Sequence, residues 1–293
     1  MRKRTAKRNA TLAASRHSLA IRADGSVACW GNNEIGQAPP EGIAGDFIAV
    51  CSGGTYNIAL TRDGHFVCWG WYNDKAPPDG VDGEFVAIAA GSFHSIAVRR
   101  DGSVACWGNN FFGAAPPEGV EGDFVAVAAG GDHSLALRLD GSIACLGKND
   151  DGQAPRRGVD GDFVAVAAGY AHSLALRRDG SIACWGRNGD GQAPPDGVDG
   201  DFIAIAAGPH HSLALRRDGS VACWGKNSDG QAPPTGVDGD FIAISAGSWH
   251  SLALRRDGSI ACWGDNVLGC APIEEDDTAR LNSTPFMTEV HVL

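Results

Sequence analysis

An all-β protein, built as a closed ring of repeated sheets, is predicted by three features of the sequence. Near-copies of the stretch HSLALRRDGSIACWG at positions 172–186 occur seven times, beginning at His17, Tyr56, His94, His133, His172, His211 and His250. Successive copies are 38 or 39 residues apart, so insertions are almost absent. Each copy consists of two short apolar runs separated by a turn. A fixed period of this length is typical of repeat architectures, in which each unit packs on the next.

Each repeat is predicted to form three to four short antiparallel strands. Leu174 and Leu176 belong to a first apolar run, Asp179-Gly180 to a turn, and 182–185 to a second run. An Asp-Gly pair between two such runs is a strong sequence signal of a β-hairpin. A further run, DFVAVAAG at 162–169, lies upstream of the hairpin and has the composition of a strand.

Both faces of these predicted strands are apolar, because the residue between Leu174 and Leu176 is Ala175 rather than a charged residue. Small sheets of this kind must be covered on both sides, as they are when sheets pack face to face around the axis of a β-propeller. We therefore predict a seven-bladed β-propeller over residues 10–273. No stretch has helical periodicity, and no apolar run has the length needed to cross a membrane.

The two ends of the chain fall outside the repeats. Residues 1–9 form a basic tail that we expect to be disordered. Residues 274–293 combine an acidic linker with the run Phe286–Leu293, which has strand composition. Because a ring must be held shut, this run is predicted to pair with the first blade, whose own first strand, near 11–14, lacks the usual Asp-Phe start.

The charge of the chain argues against nucleic acid as a ligand of the propeller. Residues 1–8 hold five of the 24 basic residues and no acid, which leaves 19 basic against 35 acidic residues in the remainder. An acidic body repels a phosphate backbone. Only the tail could contact nucleic acid or act as a nuclear-import signal. No apolar segment of a secretory signal follows it.

The nine cysteines are predicted to be free thiols. Seven occupy one position in successive repeats: Cys29, Cys68, Cys106, Cys145, Cys184, Cys223 and Cys262. Equivalent positions in packed sheets lie about 10 Å apart, whereas a disulfide needs Cβ atoms about 3.5–4.5 Å apart. Cys51 and Cys270 belong to no repeated position. Free thiols fit the reducing cytoplasm, and the basic tail leaves entry to the nucleus open.

The order of the repeated residues resembles that of the regulator of chromosome condensation repeat family. The matching positions in one repeat are Gly169, His172-Ser173, Asp179-Gly180, Trp185-Gly186, Asn188 and Gly191-Gln192. The resemblance covers nearly the whole chain and implies a seven-bladed propeller that binds other proteins. The short repeat is more similar to that of a propeller-type β-lactamase inhibitor than to that of the chromatin-bound exchange factor, whose repeats are longer.

The repeated polar residues are interpreted as structural. Six histidines are dispersed one per repeat, whereas zinc ligands gather onto one ion at about 2 Å, so a hydrogen-bonding role is favoured. The adjacent serines lack the acid of a catalytic triad. The loops at 188–191 and 227–230 lack the first Asp and the bidentate Glu of a calcium loop. We expect no metal, no cofactor and no enzymatic activity.

The predicted topology separates a variable rim from a constant one. The residue pairs before each His and the loops after each Trp-Gly fall on one rim, and the Arg-Arg-Asp-Gly hairpins fall on the other. The candidate partner-binding residues on the variable rim are Arg16, Trp71, Tyr72, Phe93, Phe111, Phe112, Asp132, Tyr170, His210, Trp249, Val267 and Leu268. Large aromatic residues on variable loops above a rigid scaffold have the composition of protein-binding hot spots.

The predicted function is that of a monomeric, non-enzymatic scaffold that binds a protein partner through the variable rim. Three alternatives stay open. A guanine-nucleotide exchange factor for a small GTPase is implied by the family resemblance, although long insertions are absent here. A β-lactamase inhibitor-like protein is favoured by the short repeat and disfavoured by the missing secretory signal. A carbohydrate-binding propeller would use Trp71 and Trp249.

Overall fold

The protein is a ring of seven antiparallel three-stranded sheets, as the sequence predicts. The computed structural model describes residues 12–71 and 84–270. The basic tail at 1–9, Tyr72 and the predicted closing segment at 274–293 lie outside the described residues. Within the described ranges, no helix is long and apolar enough to span a membrane.

Every blade has its strands in chain order, from an inner strand at the central axis to an outer strand. The strands are β1 (Leu12–Ala14), β2 (His17–Ile21) and β3 (Val27–Gly31) in blade 1; β4 (Phe47–Ser52), β5 (Tyr56–Thr61) and β6 (Phe66–Gly70) in blade 2; β7 (Phe85–Ala90), β8 (His94–Arg99) and β9 (Val104–Gly108) in blade 3; β10 (Phe124–Ala129), β11 (His133–Arg138) and β12 (Ile143–Gly147) in blade 4; β13 (Phe163–Ala168), β14 (His172–Arg177) and β15 (Ile182–Gly186) in blade 5; β16 (Phe202–Ala207), β17 (His211–Arg216) and β18 (Val221–Gly225) in blade 6; and β19 (Phe241–Ala246), β20 (His250–Arg255) and β21 (Ile260–Gly264) in blade 7.

A fourth strand exists only as a single bridge. In five blades one residue of the returning link pairs with the start of the outer strand, as Val198 does with Ile182. The chain is spared a longer outer edge, and an exposed strand edge is a template for aggregation. The predicted range of three to four strands therefore resolves to three strands and one bridge.

The hairpin turn is one residue longer than a two-residue loop. Leu176 pairs with Ile182, and the N–H of Arg177 donates to the carbonyl of Ser181. Three residues remain for the turn, and the last of them, Gly180, has φ of +90°. This is a three-residue loop with Gly in the left-handed region. The Asp179 carboxylate accepts hydrogen bonds from the backbone and hydroxyl of Ser181, at 2.9 and 2.7 Å, and fixes the turn.

The middle strand of each blade is buried on both faces, which explains its lack of polar alternation. In blade 5, His172, Leu174 and Leu176 are no more than 1% exposed. Leu174, Leu176 and Ile182 pack against Phe202 and Ala214 of blade 6. Burying a leucine or isoleucine side chain stabilises the folded state by roughly 1.5–3 kcal/mol.

The neighbouring blades are joined by one buried side-chain hydrogen bond at each interface. The bond runs from the histidine of one blade to the serine of the next, as from His172 Nε2 to Ser212 Oγ at 3.0 Å. The other His–Ser pairs, at 2.7–3.0 Å, are His94–Ser134, His133–Ser173, His211–Ser251 and His250–Ser18. Blade 2 replaces both groups and keeps the connection. His17 bonds Asn57 Oδ1 at 2.5 Å, and Tyr56 Oη bonds Ser95 Oγ at 2.8 Å.

The hydrogen bonds of the serine determine which ring nitrogen of the histidine carries the proton. Ser212 Oγ also lies 2.9 Å from the carbonyl oxygen of Gln192, to which it donates its one hydrogen. It must therefore accept from His172 Nε2–H, and the ring is the Nε2–H tautomer. The second nitrogen, Nδ1, has no hydrogen-bond partner in the structure. Close packing explains this, because a Cβ at Gly169 would lie 2.2 Å from His172 Cε1 and 2.5 Å from Nδ1.

The glutamine carbonyl that accepts the serine hydroxyl also accepts a hydrogen bond from a tryptophan in the same blade as that serine. Trp185 Nε1 donates to the Gln153 carbonyl at 2.9 Å, and Ser173 Oγ donates to it at 2.8 Å. Trp224 and Trp263 repeat this bond to Gln192 and Gln231. The loops that follow the outer strands of blades 4, 5 and 6 are thereby fixed to the next blade.

The ring closes between blades 7 and 1 through described residues. Leu12 and Ala20 of blade 1 pack with Ile242, Leu252 and Leu254 of blade 7. The N–H of Ser248 donates to the Ser15 carbonyl at 2.8 Å. Ser18 Oγ donates to the Cys270 carbonyl at 2.8 Å and accepts from His250. The predicted contribution of Phe286–Leu293 to closure lies outside the described residues. The structure describes β1 only from Leu12 onward, so the predicted weak start of the first strand stays a prediction.

All nine cysteines are free thiols. Burial raises the pKa of the Cys29, Cys106, Cys184 and Cys223 thiols to about 12. The thiolate is the reactive form, so these side chains behave as small apolar groups in the folded protein.

We expect a thiol reagent to find nine thiols in the denatured, unreduced protein and to react slowly with the native protein at pH 8. The reason is that no sulfur is paired and burial raises the thiol pKa values. The measurement is a titration before and after addition of denaturant. A count of seven or fewer in the denatured protein would show a disulfide and contradict the blade geometry.

We expect acid to unfold the protein between pH 6.5 and 4. Burial lowers the pKa of His17, His94, His133, His211 and His250 from 6.5 to about 4, and that of His172 to about 3. The histidine pKa values are lower in the folded state than in the unfolded state. The free energy of unfolding is therefore highest above pH 6.5 and decreases as the pH falls towards 4. Near pH 5 the unfolded chain should bind roughly five more protons than the folded ring.

The pH dependence of the free energy of unfolding measures this proton number. His172→Gln should lower it by about one, because it removes one buried neutral histidine. Stability that stays constant from pH 6.5 to 4 would contradict the buried neutral histidines.

Candidate functional site

The candidate site is the mouth, defined as the open end of the central axis where the inner strands finish. Its pocket has a volume of about 450 Å³, and every blade contributes residues to it. The wall consists of the last residues of the inner strands, such as Ala168 and Ala207, and the glycines that follow them. At least one residue of the pair before each His, or before Tyr56 in blade 2, lines the opening. The interblade bonds of the histidines and of Tyr56 follow these pairs directly in the chain.

Six of the predicted partner-binding residues come together at the mouth: Arg16, Trp71, Phe93, Tyr170, His210 and Trp249. Trp71, Phe93 and Tyr170 are each about half exposed, with relative exposures of 55%, 45% and 46%. Trp249 is partly buried, and the guanidinium carbon of Arg16 lies 5.5 Å from its ring centroid. The Tyr170 and His210 ring centroids are 6.4 Å apart.

Tyr170 does not occupy the same position of its pair as Phe93 and Trp249. It is the first residue of the pair, and they are the second. A Cβ at Gly131 would lie 2.9 Å from Tyr170 Cδ2, so the tyrosine ring covers Gly131 of blade 4. Blade 4 itself contributes no aromatic residue to the mouth.

Five other predicted residues do not line the pocket. Phe111, Phe112, Val267 and Leu268 lie in the outer loops, defined as the segments after each Trp-Gly, and Asp132 lies behind the opening. Phe111 and Val267 are the most exposed, at 83% and 87%. The rings of Phe111 and Phe112 meet edge to face at 4.9 Å, and Lys148 Nζ lies 5.0 Å from the Phe112 ring centroid. The variable rim therefore has two zones, the mouth and the outer loops.

The outer loops are held by their own amide side chains. Asn188 Oδ1 accepts the N–H of Ala193 at 2.9 Å, and Gln192 Oε1 accepts the N–H of Asp190 at 2.9 Å. Turn formation, as predicted, is therefore the role of the Asn and Gln. Among residues 12–71 and 84–270, no group of three or more His, Cys, Asp or Glu side chains converges as a metal site would.

Sequence reasoning missed the small residues of the mouth and one apolar loop residue. Ser15, Ser92 and Ser248 line the pocket beside the aromatics. Ile35, in the outer loop of blade 1, is 42% exposed. Its equivalence to Phe112 and Leu268 in the repeat was the signal that could have found it.

The opposite end, the hairpin rim, repeats one ion pair in five of the seven blades, whereas blades 1 and 4 have Ala23 and Leu139 in place of the arginine. The second Arg of the hairpin pairs with the acid that begins the inner strand, as Arg178 Nε does with Asp162 at 2.9 Å. Equivalent pairs join Arg62 to Asp46, Arg100 to Glu84, Arg217 to Asp201 and Arg256 to Asp240. Such exposed ion pairs stabilise a fold by about 0–1 kcal/mol each. The repeated ion pair here and the variety at the mouth point to the mouth as the surface that recognises a ligand.

Comparison of the fold with solved structures finds propellers of the same shape. The CRINKLY WD40 ectodomain of the Arabidopsis thaliana receptor kinase ACR4 is 22% identical over 90% of this chain and 98% of that chain, with a TM-score of 0.72. Prp20p of Saccharomyces cerevisiae is 20% identical over 87% and 85% of the two chains, with a TM-score of 0.68. Human WBSCR16 is 18% identical over 83% and 85%, with a TM-score of 0.67. At these identities the likeness shows the fold alone.

Comparison of the sequence identifies the family. No curated protein matches the chain. The family model described as the regulator of chromosome condensation (RCC1) repeat matches six stretches, 15–37, 85–114, 124–153, 163–192, 202–231 and 241–270. These stretches cover more than half of the chain and coincide with the strands, turns and outer loops described above. The chain belongs to the regulator of chromosome condensation (RCC1) repeat family.

Proposed function

We propose that the protein is a non-enzymatic, monomeric scaffold that binds a protein partner through the mouth and the adjoining outer loops. The observation that carries this proposal is the set of exposed aromatic rings, Trp71, Phe93, Phe111 and Tyr170, on a rim fixed by buried hydrogen bonds. Exposed aromatic residues on a rigid frame lose little conformational entropy on binding and are enriched among hot spots.

The proposed absence of catalysis is supported by the roles of the repeated polar groups. The histidines and serines, which would be the candidate bases and nucleophiles, bond each other across blade interfaces and are almost fully buried. A histidine with a pKa of about 3 or 4 does not take up a proton near neutral pH.

Two solved structures of one similar protein, yeast Prp20, support a protein as the kind of partner. The structure of yeast Prp20p is described together with its binding to Gsp1p and histones, and Kap60 has been solved bound to yeast RCC1 (Prp20). These are partners of that protein. For this chain they favour protein binding as the general use of the ring.

We also propose that the protein works in a reducing compartment, the cytoplasm. The nine free thiols support this, because exposure to an oxidising compartment favours disulfides.

We expect Phe93→Ala and Phe111→Ala to weaken partner binding at least tenfold, because truncation of an aromatic anchor typically costs about 2 kcal/mol or more. The first variant tests the mouth and the second tests the outer loops. Arg178→Ala, on the hairpin rim, is the matched control, and its binding should stay within twofold. The measurement is quantitative affinity capture from the native host, followed by titration of each captured partner with the purified variants.

Melting temperatures of all variants should stay close to the parent's, because Phe93 and Phe111 are exposed and Arg178 forms an exposed ion pair. If the Arg178→Ala protein loses the partner and both aromatic variants keep it, the partner binds the hairpin rim and the proposal is wrong.

A further inference from the structure

The described residues that line the mouth include no carboxylate. Arg16 is the one arginine among them, and His210 is the one histidine. The chain as a whole has 35 acidic against 24 basic residues. A lining without Asp or Glu in so acidic a protein favours a ligand group of negative charge.

Arg16 is available to such a group. Its side chain is exposed and lies over the Trp249 ring at 5.5 Å. Among the residues described it forms no salt bridge, whereas the second arginine of most hairpins pairs with an acid, as Arg178 does with Asp162. A guanidinium that rests on an aromatic face keeps the N–H groups of its edge for a carboxylate.

The charges beside His210 are of both signs, with Asp190 exerting the largest effect of these charges on the ring. Burial lowers the pKa of His210, so its ring is neutral near pH 7. Asp190 Oδ2 lies 3.7 Å from His210 Nδ1. Arg187 and Lys226 also act on this histidine.

Two other carboxylates near the mouth, those of Asp132 and Asp265, are not among the residues that line it. Asp265 Oδ1 accepts the N–H of Val267 at 2.8 Å and so closes its own turn. The aspartates of the hairpin rim are at the far end of the strands. A six-residue strand spans about 20 Å, which is twice the screening length of about 8–10 Å at physiological salt. Their repulsion is therefore largely screened at the mouth.

We propose that the mouth binds an acidic side chain on a loop of the partner protein, with Arg16 as its ion-pair partner and the rings of Trp71, Phe93 and Trp249 around its apolar stem. This inference rests on the proposed function. The pocket of about 450 Å³ lies in the usual size range of binding pockets. The carboxylate would form the charge-assisted bond, and the aromatic rings would exclude water from it.

The test uses the full-length protein and four pentapeptides, three of which have both termini blocked. Their sequences are Ala-Phe-X-Phe-Ala, with Glu, Gln or Lys at X, and a second Gln peptide with a free terminal carboxylate. Binding at millimolar concentration is followed through the indole N–H signals of Trp71 and Trp249 in nuclear magnetic resonance spectra. We expect the Glu peptide to bind at least tenfold more tightly than the blocked Gln peptide.

Arg16→Gln should remove this preference, and Arg178→Gln should keep it. Because the peptide comparison within the parent protein needs no variant, a folding defect in Arg16→Gln would not hide the result. Equal affinity for the Glu and Gln peptides would overturn the inference and leave protein binding standing, since the mouth would then take polypeptide without charge selection.

Other outcomes also overturn the inference. Tighter binding of the Lys peptide would show that the aromatic rings bind a cation. Tighter binding of only the peptide with a free terminal carboxylate would show that the mouth binds the end of a chain and not an acidic side chain. Failure of the proposed function is separate. It would appear as a captured partner that ignores Phe93→Ala and Phe111→Ala, whatever the peptides do.

Discussion

The hydrogen bond between each blade and the next is the constraint on which the rest of the structure depends. A three-stranded sheet of small and apolar residues can slide against its neighbour, because apolar contacts have no direction. A buried His–Ser bond has a direction, and an unmade one costs about 1–3 kcal/mol. His172 and Ser212, with Gln192 as the second partner of the serine, fix blade 5 to blade 6 in one register. Repetition around the ring gives every blade the same tilt.

Blade 2 shows that the bonding pattern is kept when the residues change. Asn57 replaces the serine, accepts from His17 through Oδ1, and donates to the Gln37 carbonyl through Nδ2 at 2.8 Å. The side-chain amide accepts through its oxygen and donates through its nitrogen, whereas the serine hydroxyl accepts and donates through one oxygen. Tyr56 replaces the histidine and reaches Ser95. With the frame fixed in this way, residues at the mouth can vary without loss of the fold.

The sequence predicted the all-β class, the number of blades, the strand order and the separation of the loops onto two rims. All four follow from the period and from turn residues such as Asp179-Gly180. It predicted which residues are variable and that they fall into pairs before each His and loops after each Trp-Gly, but not which of them line the pocket. Trp71 and Phe112 both follow a Trp-Gly, yet Trp71 lines the pocket and Phe112 does not. The placement of Tyr170 over Gly131 depends on contact between blades, which a single repeat does not encode. Which residues line the mouth also depends on how the seven blades are arranged, and none of the described lining residues is a carboxylate.

The protonation state of the buried histidines tests this account most directly. Long-range proton–nitrogen correlation spectra of the native protein at neutral pH report the tautomer of each ring. The structure requires the proton on Nε2 of His172, His133 and His211, since the partner serine donates its own hydrogen to a loop carbonyl. Burial lowers the pKa of these rings to about 3 or 4, so they are neutral at this pH. Spectra showing imidazolium rings, or the proton on Nδ1, would contradict the interblade bond and with it the rigid frame beneath the mouth.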